Sequence, residues 1–193
     1  RVIAVNFSIY PFRITTQSTI DKHDITTVTT LACVIAMGTE PNYLEIPGEQ
    51  GTNGYWGRGV SNCAVCEGSL YKNKQVAIVG GGDAAITEAL YLADIARTVT
   101  IYVRGNTLRA KDSAAVTRAQ AKKNIVFVFK TKVVAIEGDA NRMTSLAIIT
   151  PDNKVPVHQP MDGLFLAIGS RPNTALFTTQ LAINAHGFIE LTH

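Results

Sequence analysis

At 193 residues, with 46% hydrophobic and 17% charged residues, the chain has room for one good core or two small ones and reads as an ordinary soluble globular protein. Its formal net charge of +3, with 18 Lys and Arg scattered against 15 Asp and Glu, excludes a basic face built for nucleic acid. No run of about 18 apolar residues occurs, so no membrane span is expected.

Residues 1–10 hold one charge and a short apolar run without a small-residue cleavage site, a poor signal peptide. They read instead as the middle of a folded protein, starting inside a strand-like pattern. Strands are expected over 12–16, 25–29 and 31–36, with no useful helix among them. The last of these runs contains Cys33, which is expected to be a small buried hydrophobe. A turn-rich stretch follows to Gly59, with Pro47 and glycines at 48, 51, 54, 57 and 59, and it reads as a linker or domain crossing.

From Lys74 the rhythm changes. A strand is expected over 75–79, a helix over 84–96, a strand over 98–103, a helix over 110–123 and a strand over 125–129. Alternation at this spacing predicts an α/β fold with a doubly wound parallel sheet, its apolar strands covered on both faces. Lys122 and Lys123 read as a solvated helix end. Segments 132–137, 144–150 and 154–158 predict a small antiparallel meander, and 164–168 a last apolar strand ending at Gly169. Residues 182–191 look like the start of an element that the chain does not finish.

Gly80-Gly-Gly82-Asp83-Ala84-Ala85 lies at a strand-to-helix junction. Gly80 permits the tight turn, Gly82 lets the backbone approach a pyrophosphate, and Ala85 allows close helix packing. The free N–H groups of the helix start then face the phosphates. The end of the second strand chooses the cofactor. An acidic residue there holds the ribose hydroxyls of NADH, whereas this chain has Arg104, with Arg109 five positions later. Guanidinium groups grip a 2′-phosphate, which favours NADPH.

Cys63-Ala-Val-Cys66 has the spacing of a redox disulfide or of half a metal site. There is no second Cys pair, and His23, His158, His186 and His193 form no ligand motif, so redox is preferred and no metal is expected. Disulfide chemistry also needs an acid that carries a proton as thiolates form and leave. Glu67 is adjacent to do it.

Four stretches, 57–68, 76–85, 88–92 and 164–174, closely resemble bacterial-type, low-molecular-weight thioredoxin reductases. Pro11-Phe12 and Val34-Ile-Ala-Met-Gly38 resemble pieces of that family's FAD domain, so the resemblance covers essentially the whole chain in order. It implies a partial FAD-binding, Rossmann-type domain over 1–45, an NADPH domain with the Cys pair over 46–173, and a return to the FAD domain over 174–193. Electrons would pass from NADPH to FAD, then to the Cys63/Cys66 disulfide, then to thioredoxin. Cys66 would face the flavin, Cys63 would form the mixed disulfide, and Glu67 would be the acid. The NADPH domain would rotate between two poses, aided by the Gly-rich stretch before Cys63. Cofactor contacts would come from Gly80, Gly82, Asp83, Ala84, Ala85, Arg104, Arg109, Ile168, Gly169, Ala36 and Gly38. A cytoplasmic homodimer is expected for the complete protein.

The chain departs from that pattern in four places. Glu67 stands for the usual Asp, Gly105 for the second residue of a basic pair, and Met37 for the Thr of an Ala-Thr-Gly. The family's first Gly-rich turn would lie before Arg1 and its closing Gly-Asp motif beyond His193, so this chain by itself is expected not to retain FAD. A flavoprotein that reduces a peroxiredoxin shares these motifs. A non-catalytic NADPH-binding or redox-sensing module is the alternative of another class.

Overall fold

The computed structural model describes residues 1–191. Pro41–Gly169 form one compact unit, and Arg1–Glu40 with the residues from Ser170 onward form another.

In the smaller unit, three strands rich in Thr, Val and Ile run antiparallel in the order β1 (Val2–Asn6), β2 (Phe12–Gln17), β3 (Ile25–Thr30). Phe7 stacks on Phe177 and meets Phe12 edge-on, and Phe177 is the residue this small unit buries most fully. β4 (Thr39–Pro41) later pairs with the short strand Ser170–Pro172. The strand expected over 31–36 is not formed. After Thr30 no element is laid over that segment, so its apolar residues have nothing to bury against. Cys33 is accordingly an exposed free thiol and not a core residue. Over 182–191 the chain makes a turn closed by a bridge between Ile183 and Ile189.

The larger unit alternates as its sequence suggests: β5 (Val60–Ser61), α1 (Ala64–Glu67), β6 (Gln75–Val79), α2 (Asp83–Ala93), β7 (Thr98–Tyr102), α3 (Ser113–Ala121), β8 (Ile125–Val128). Then come β9 (Lys132–Gly138), β10 (Met143–Ile149), β11 (Val157–Pro160) and β12 (Gly163–Leu166). Strands β5, β12, β6, β7 and β8 lie in that order in a parallel sheet, while β9–β11 form the antiparallel meander. Strand alternation sorts the cores. Val76, Ile78, Val99, Ile101 and Phe165 point to the helices, where Ile86, Ala89 and Leu92 of α2 meet them. Ala77, Leu164 and Leu166 point the other way, onto Leu146, Ile136 and Met143 of the meander. Each fully buried Ile, Leu or Phe contributes about 1.5–3 kcal/mol, so both faces of the sheet are strongly held.

Helix α2 ends three residues earlier than its apolar pattern suggests, because the N–H groups of Ile95 and Ala96 both turn back to the Leu92 carbonyl. α3 starts three residues later, at Ser113, behind Asp112, whose carboxylate accepts the Ala115 N–H as an N-cap. β11 begins at Val157 because residues 150–153 are taken up by a turn in which Thr150 and Asn153 bond each other.

The Gly-rich stretch before Cys63 is packed rather than slack. A Cβ on Gly48 would stand 1.9 Å from the Ile136 carbonyl oxygen, and one on Gly59 would stand 2.4 Å from the Met143 side chain. Glu49, 1% exposed, accepts the N–H groups of Leu44 and Glu45 on its two carboxylate oxygens, and Tyr55 and Trp56 pack on the second core. Gly48 and Gly59 thus serve close approach of backbone to the meander.

Candidate nucleotide and disulfide site

The parallel register places two chemical groups at one sheet edge. Ser61 of β5, Phe165 of β12 and Ile78 of β6 lie side by side. Two residues beyond that level, β5 runs into Cys63 and β6 into Gly80. The Cys pair and the Gly-rich turn therefore leave the carboxyl ends of strands two positions apart, about 10 Å across the sheet. The carboxyl edge is where open α/β sheets bind ligands.

At the turn, Gly80 is required by contact: a Cβ there would lie 2.4 Å from the Ala167 carbonyl oxygen and 3.1 Å from the Ala85 Cβ. Gly82 has nothing within 4 Å of its Cβ position, and as the N-cap of α2 it supplies no side-chain cap. The start of this 11-residue helix, with its partial positive charge, thus adjoins open space at Gly82, a fit for a pyrophosphate. Ala85 is buried against the sheet, and Ala84 is exposed beside the turn.

Asp83, at its motif position in the turn, also holds the neighbouring loop. Its Oδ1 accepts the backbone N–H groups of Lys111 at 2.7 Å and Asp112 at 3.0 Å, and those two bonds, Asp112 first, hold its pKa below the usual carboxylate range. The N–H groups of Arg109 and Ala110 bond the Gly81 carbonyl at 2.6 and 3.0 Å. The loop after β7 is thereby stapled to the turn, with the exposed Arg104 and Arg109 on it. Ile168 and Gly169 emerge from β12 next to the turn, their carbonyls held by Asn42 through its side-chain and backbone N–H groups.

Cys63 and Cys66 form a disulfide with Cα atoms 5.3 Å apart. Cys63 is the N-cap of α1, its Sγ accepts the Cys66 N–H at 3.2 Å, and Cys66 is the more exposed of the two. Beside them, Ser61, 4% exposed, donates its hydroxyl to Glu67 Oε1 at 2.9 Å and accepts the Cys63 N–H at 3.2 Å. No sequence motif singles this serine out. Its spacing of two before the first Cys is the signal, and it gains meaning only once β5 turns into α1.

Ala36 and Gly38 lie in the smaller unit, both exposed, with Gly38 at φ 68° and its carbonyl bonded by the Asn173 N–H at 3.0 Å. Among the described residues one strand–Gly turn–helix cradle exists, at 79–83. The residues present fit a nicotinamide dinucleotide and do not themselves form a second cradle for an FAD pyrophosphate. No group of three or more His, Cys, Asp or Glu among them is placed to hold a metal ion, and no helix among them is long and apolar enough to cross a membrane.

Comparison with known proteins agrees with this geometry. The family model described as pyridine nucleotide-disulphide oxidoreductase matches residues 5–193. The thioredoxin reductase of Chlamydia trachomatis is 36% identical over 190 residues, 97% of this chain and 58% of that protein. A glucosaminate ammonia-lyase of Pseudomonas fluorescens is 38% identical over 184 residues, 93% of this chain and 53% of that protein. The thioredoxin reductase structure from Giardia duodenalis superposes with a TM-score of 0.82 at 31% identity, covering all of this chain and 60% of that one. The chain thus spans a little over half the length of the relatives it matches. A parallel sheet with a nucleotide turn, an adjoining disulfide and a match over nearly every residue lead to one conclusion: this chain belongs to the pyridine nucleotide-disulphide oxidoreductase family.

Proposed function

We propose that the chain carries the NADPH-binding and dithiol–disulfide parts of a thioredoxin reductase, with thioredoxin as the electron acceptor. The observation that carries this reading is the disulfide at the carboxyl end of β5, on the sheet edge that bears the Gly-rich turn of β6. It also separates this reading from the ammonia-lyase name of one relative, because elimination of ammonia uses no dithiol.

The 2′-phosphate of NADPH meets Arg104 and Arg109, and the pyrophosphate meets Gly82 and the start of α2. FAD, when bound in the complete protein, supplies a two-electron relay between NADPH and the disulfide, with Ala36 and Gly38 contributing to its site. Two electrons and two protons delivered to the disulfide would break the S–S bond and leave both cysteines as thiols, with the Cys66 N–H placed to stabilise Cys63 when it ionises. The reduced Cys63 then attacks the thioredoxin disulfide, and Cys66 resolves the mixed disulfide. Glu67, one helical turn from Cys63, carries the proton.

The test is capture. The reduced Cys66→Ser variant, mixed with oxidised thioredoxin, is expected to give a stable mixed disulfide at the summed intact mass. Failure of both the Cys66→Ser and Cys63→Ser variants to capture thioredoxin would overturn the reading. Capture only by Cys63→Ser would reverse the two roles.

A further inference from the structure

We propose that Ser61 is the positioning residue that aims Glu67 as the proton carrier of the dithiol. The inference rests on the reading of Cys63 and Cys66 as a redox pair and adds a residue that the pair's own motif does not contain. Its ground is a three-point bridge. The buried Ser61 hydroxyl donates to Glu67 Oε1 at 2.9 Å while its oxygen accepts the Cys63 N–H at 3.2 Å. One hydroxyl therefore fixes the carboxylate relative to the backbone of the cysteine it serves.

The bridge answers a problem set by the side chain itself. Glutamate has one more rotatable bond than aspartate, so without a tether its carboxylate would sample several rotamers away from the sulfur. Glu67 is also the last residue of a four-residue helix, which restrains it little. The bond from Ser61 occupies Oε1 and leaves Oε2 to take or give a proton.

The step runs as follows. Cys63 ionises in a rapid equilibrium common to both exchanges, Glu67 holds the proton, and the thiolate attacks one sulfur of an external disulfide. A new S–S bond forms to Cys63 and the partner's S–S bond breaks. The departing partner thiolate takes the proton held on Glu67. Cys66, its proton lost to water, then attacks the Cys63 sulfur and closes the Cys63–Cys66 disulfide. The second partner thiolate leaves and is protonated by water. Two electrons and two protons leave the dithiol and arrive on the partner.

The experiment compares two external disulfides with the reduced chain, in a Cys33→Ala background that removes the exposed third thiol. An alkyl disulfide, bis(2-hydroxyethyl) disulfide, releases a basic thiolate that needs a proton. An aromatic one, 5,5′-dithiobis(2-nitrobenzoate), releases an acidic thiolate that does not. Ser61→Ala is expected to slow the alkyl exchange about fivefold, the effect of one lost hydrogen bond. The aromatic exchange is expected to stay unchanged, and Ser61→Thr to restore the alkyl rate. Glu67→Gln should slow the alkyl exchange at least as much as Ser61→Ala, and the double variant should be no slower than Glu67→Gln alone.

Equal slowing of both exchanges by Ser61→Ala, or losses that add in the double variant, would overturn the proposal. If Ser61→Ala fails to fold, Glu67→Gln and Ser61→Thr decide: slowing of the alkyl exchange alone by Glu67→Gln, with Ser61→Thr unimpaired, supports it, and any other pattern overturns it. Failure of the redox-pair reading looks different, because the Cys33→Ala chain would then exchange with neither disulfide.

Discussion

A methyl group added at Gly80 and one added at Gly82, two residues apart in one turn, should fail in opposite ways. At Gly80 the methyl meets the Ala167 carbonyl oxygen at 2.4 Å and the Ala85 Cβ at 3.1 Å, so β6 or β12 has to shift. Forcing a carbon into packed backbone costs about 1–3 kcal/mol and at times more. For a chain of this size that lowers Tm by about 2–4 °C per kcal/mol. At Gly82 the backbone is extended, φ −96° and ψ −176°, and the methyl enters space with no protein atom within 4 Å. The modest N-cap cost of Ala against Gly is offset by a gain of about 0.4–1 kcal/mol from a stiffer unfolded chain. Tm for Gly82→Ala should therefore stay within about 2 °C of the parent. The same methyl stands where the pyrophosphate must approach, and a loss of about 1.4–2.8 kcal/mol weakens NADPH binding about 10–100-fold. Thermal melting and calorimetric titration of NADPH read the two quantities separately. Parent-like NADPH affinity in Gly82→Ala would refute the placement of the phosphates, and a parent-like Tm in Gly80→Ala would refute the packing account.

Arg104→Ala should reduce NADPH affinity about tenfold and leave NADH unaffected, as competition titrations would show; an equal loss for both would remove the 2′-phosphate from this loop. Asp83→Ala frees the loop after β7, so limited trypsin digestion should cut faster at Arg104 and Arg109 in the variant, and unchanged cutting would mean that other bonds hold the loop. Glu88 on α2 has a buried carboxylate oxygen without a partner, and burial pushes its pKa up to about 7. The folded state then binds this proton more tightly than the unfolded state does. The contribution of Glu88 to stability is greatest below about pH 4.5, falls as pH rises to about 7, and stays reduced above it. Glu88→Gln should flatten this profile and gain about 1–2 kcal/mol at pH 8, allowing for partial exposure, with no gain at pH 4. Denaturant titrations at the two pH values check it, and an equal change at both would exclude ionisation of Glu88.

The parallel sheet was legible because its strands are buried on both faces and its turns are marked by glycine. Val76, Ile78, Val99 and Ile101 sit where an apolar run between turn signals puts them. The Cys pair and Gly80 were legible for a related reason: their chemistry depends on local spacing. What was not legible depends on what lies opposite. The apolar run 31–36 has strand composition, but nothing covers it and Cys33 is exposed. The glycines before Cys63 have linker composition, yet at Gly48 and Gly59 the meander comes within clashing distance of any side chain. Asp83 carries a phosphate-motif position, and its Oδ1 also accepts the N–H groups of Lys111 and Asp112, bonds set by a loop 28 residues away. Ser61 was passed over because its two partners converge only in three dimensions.

The staple that Asp83 and Gly81 make on residues 109–112 has a kinetic consequence. A loop already fixed beside its turn needs no closing event after the ligand arrives, so little ordering entropy is left to lose on binding. Dinucleotide capture should then proceed in a single exponential phase, with a rate set by collision and by attraction of the phosphates to Arg104 and Arg109. Salt should slow arrival far more than it hastens departure.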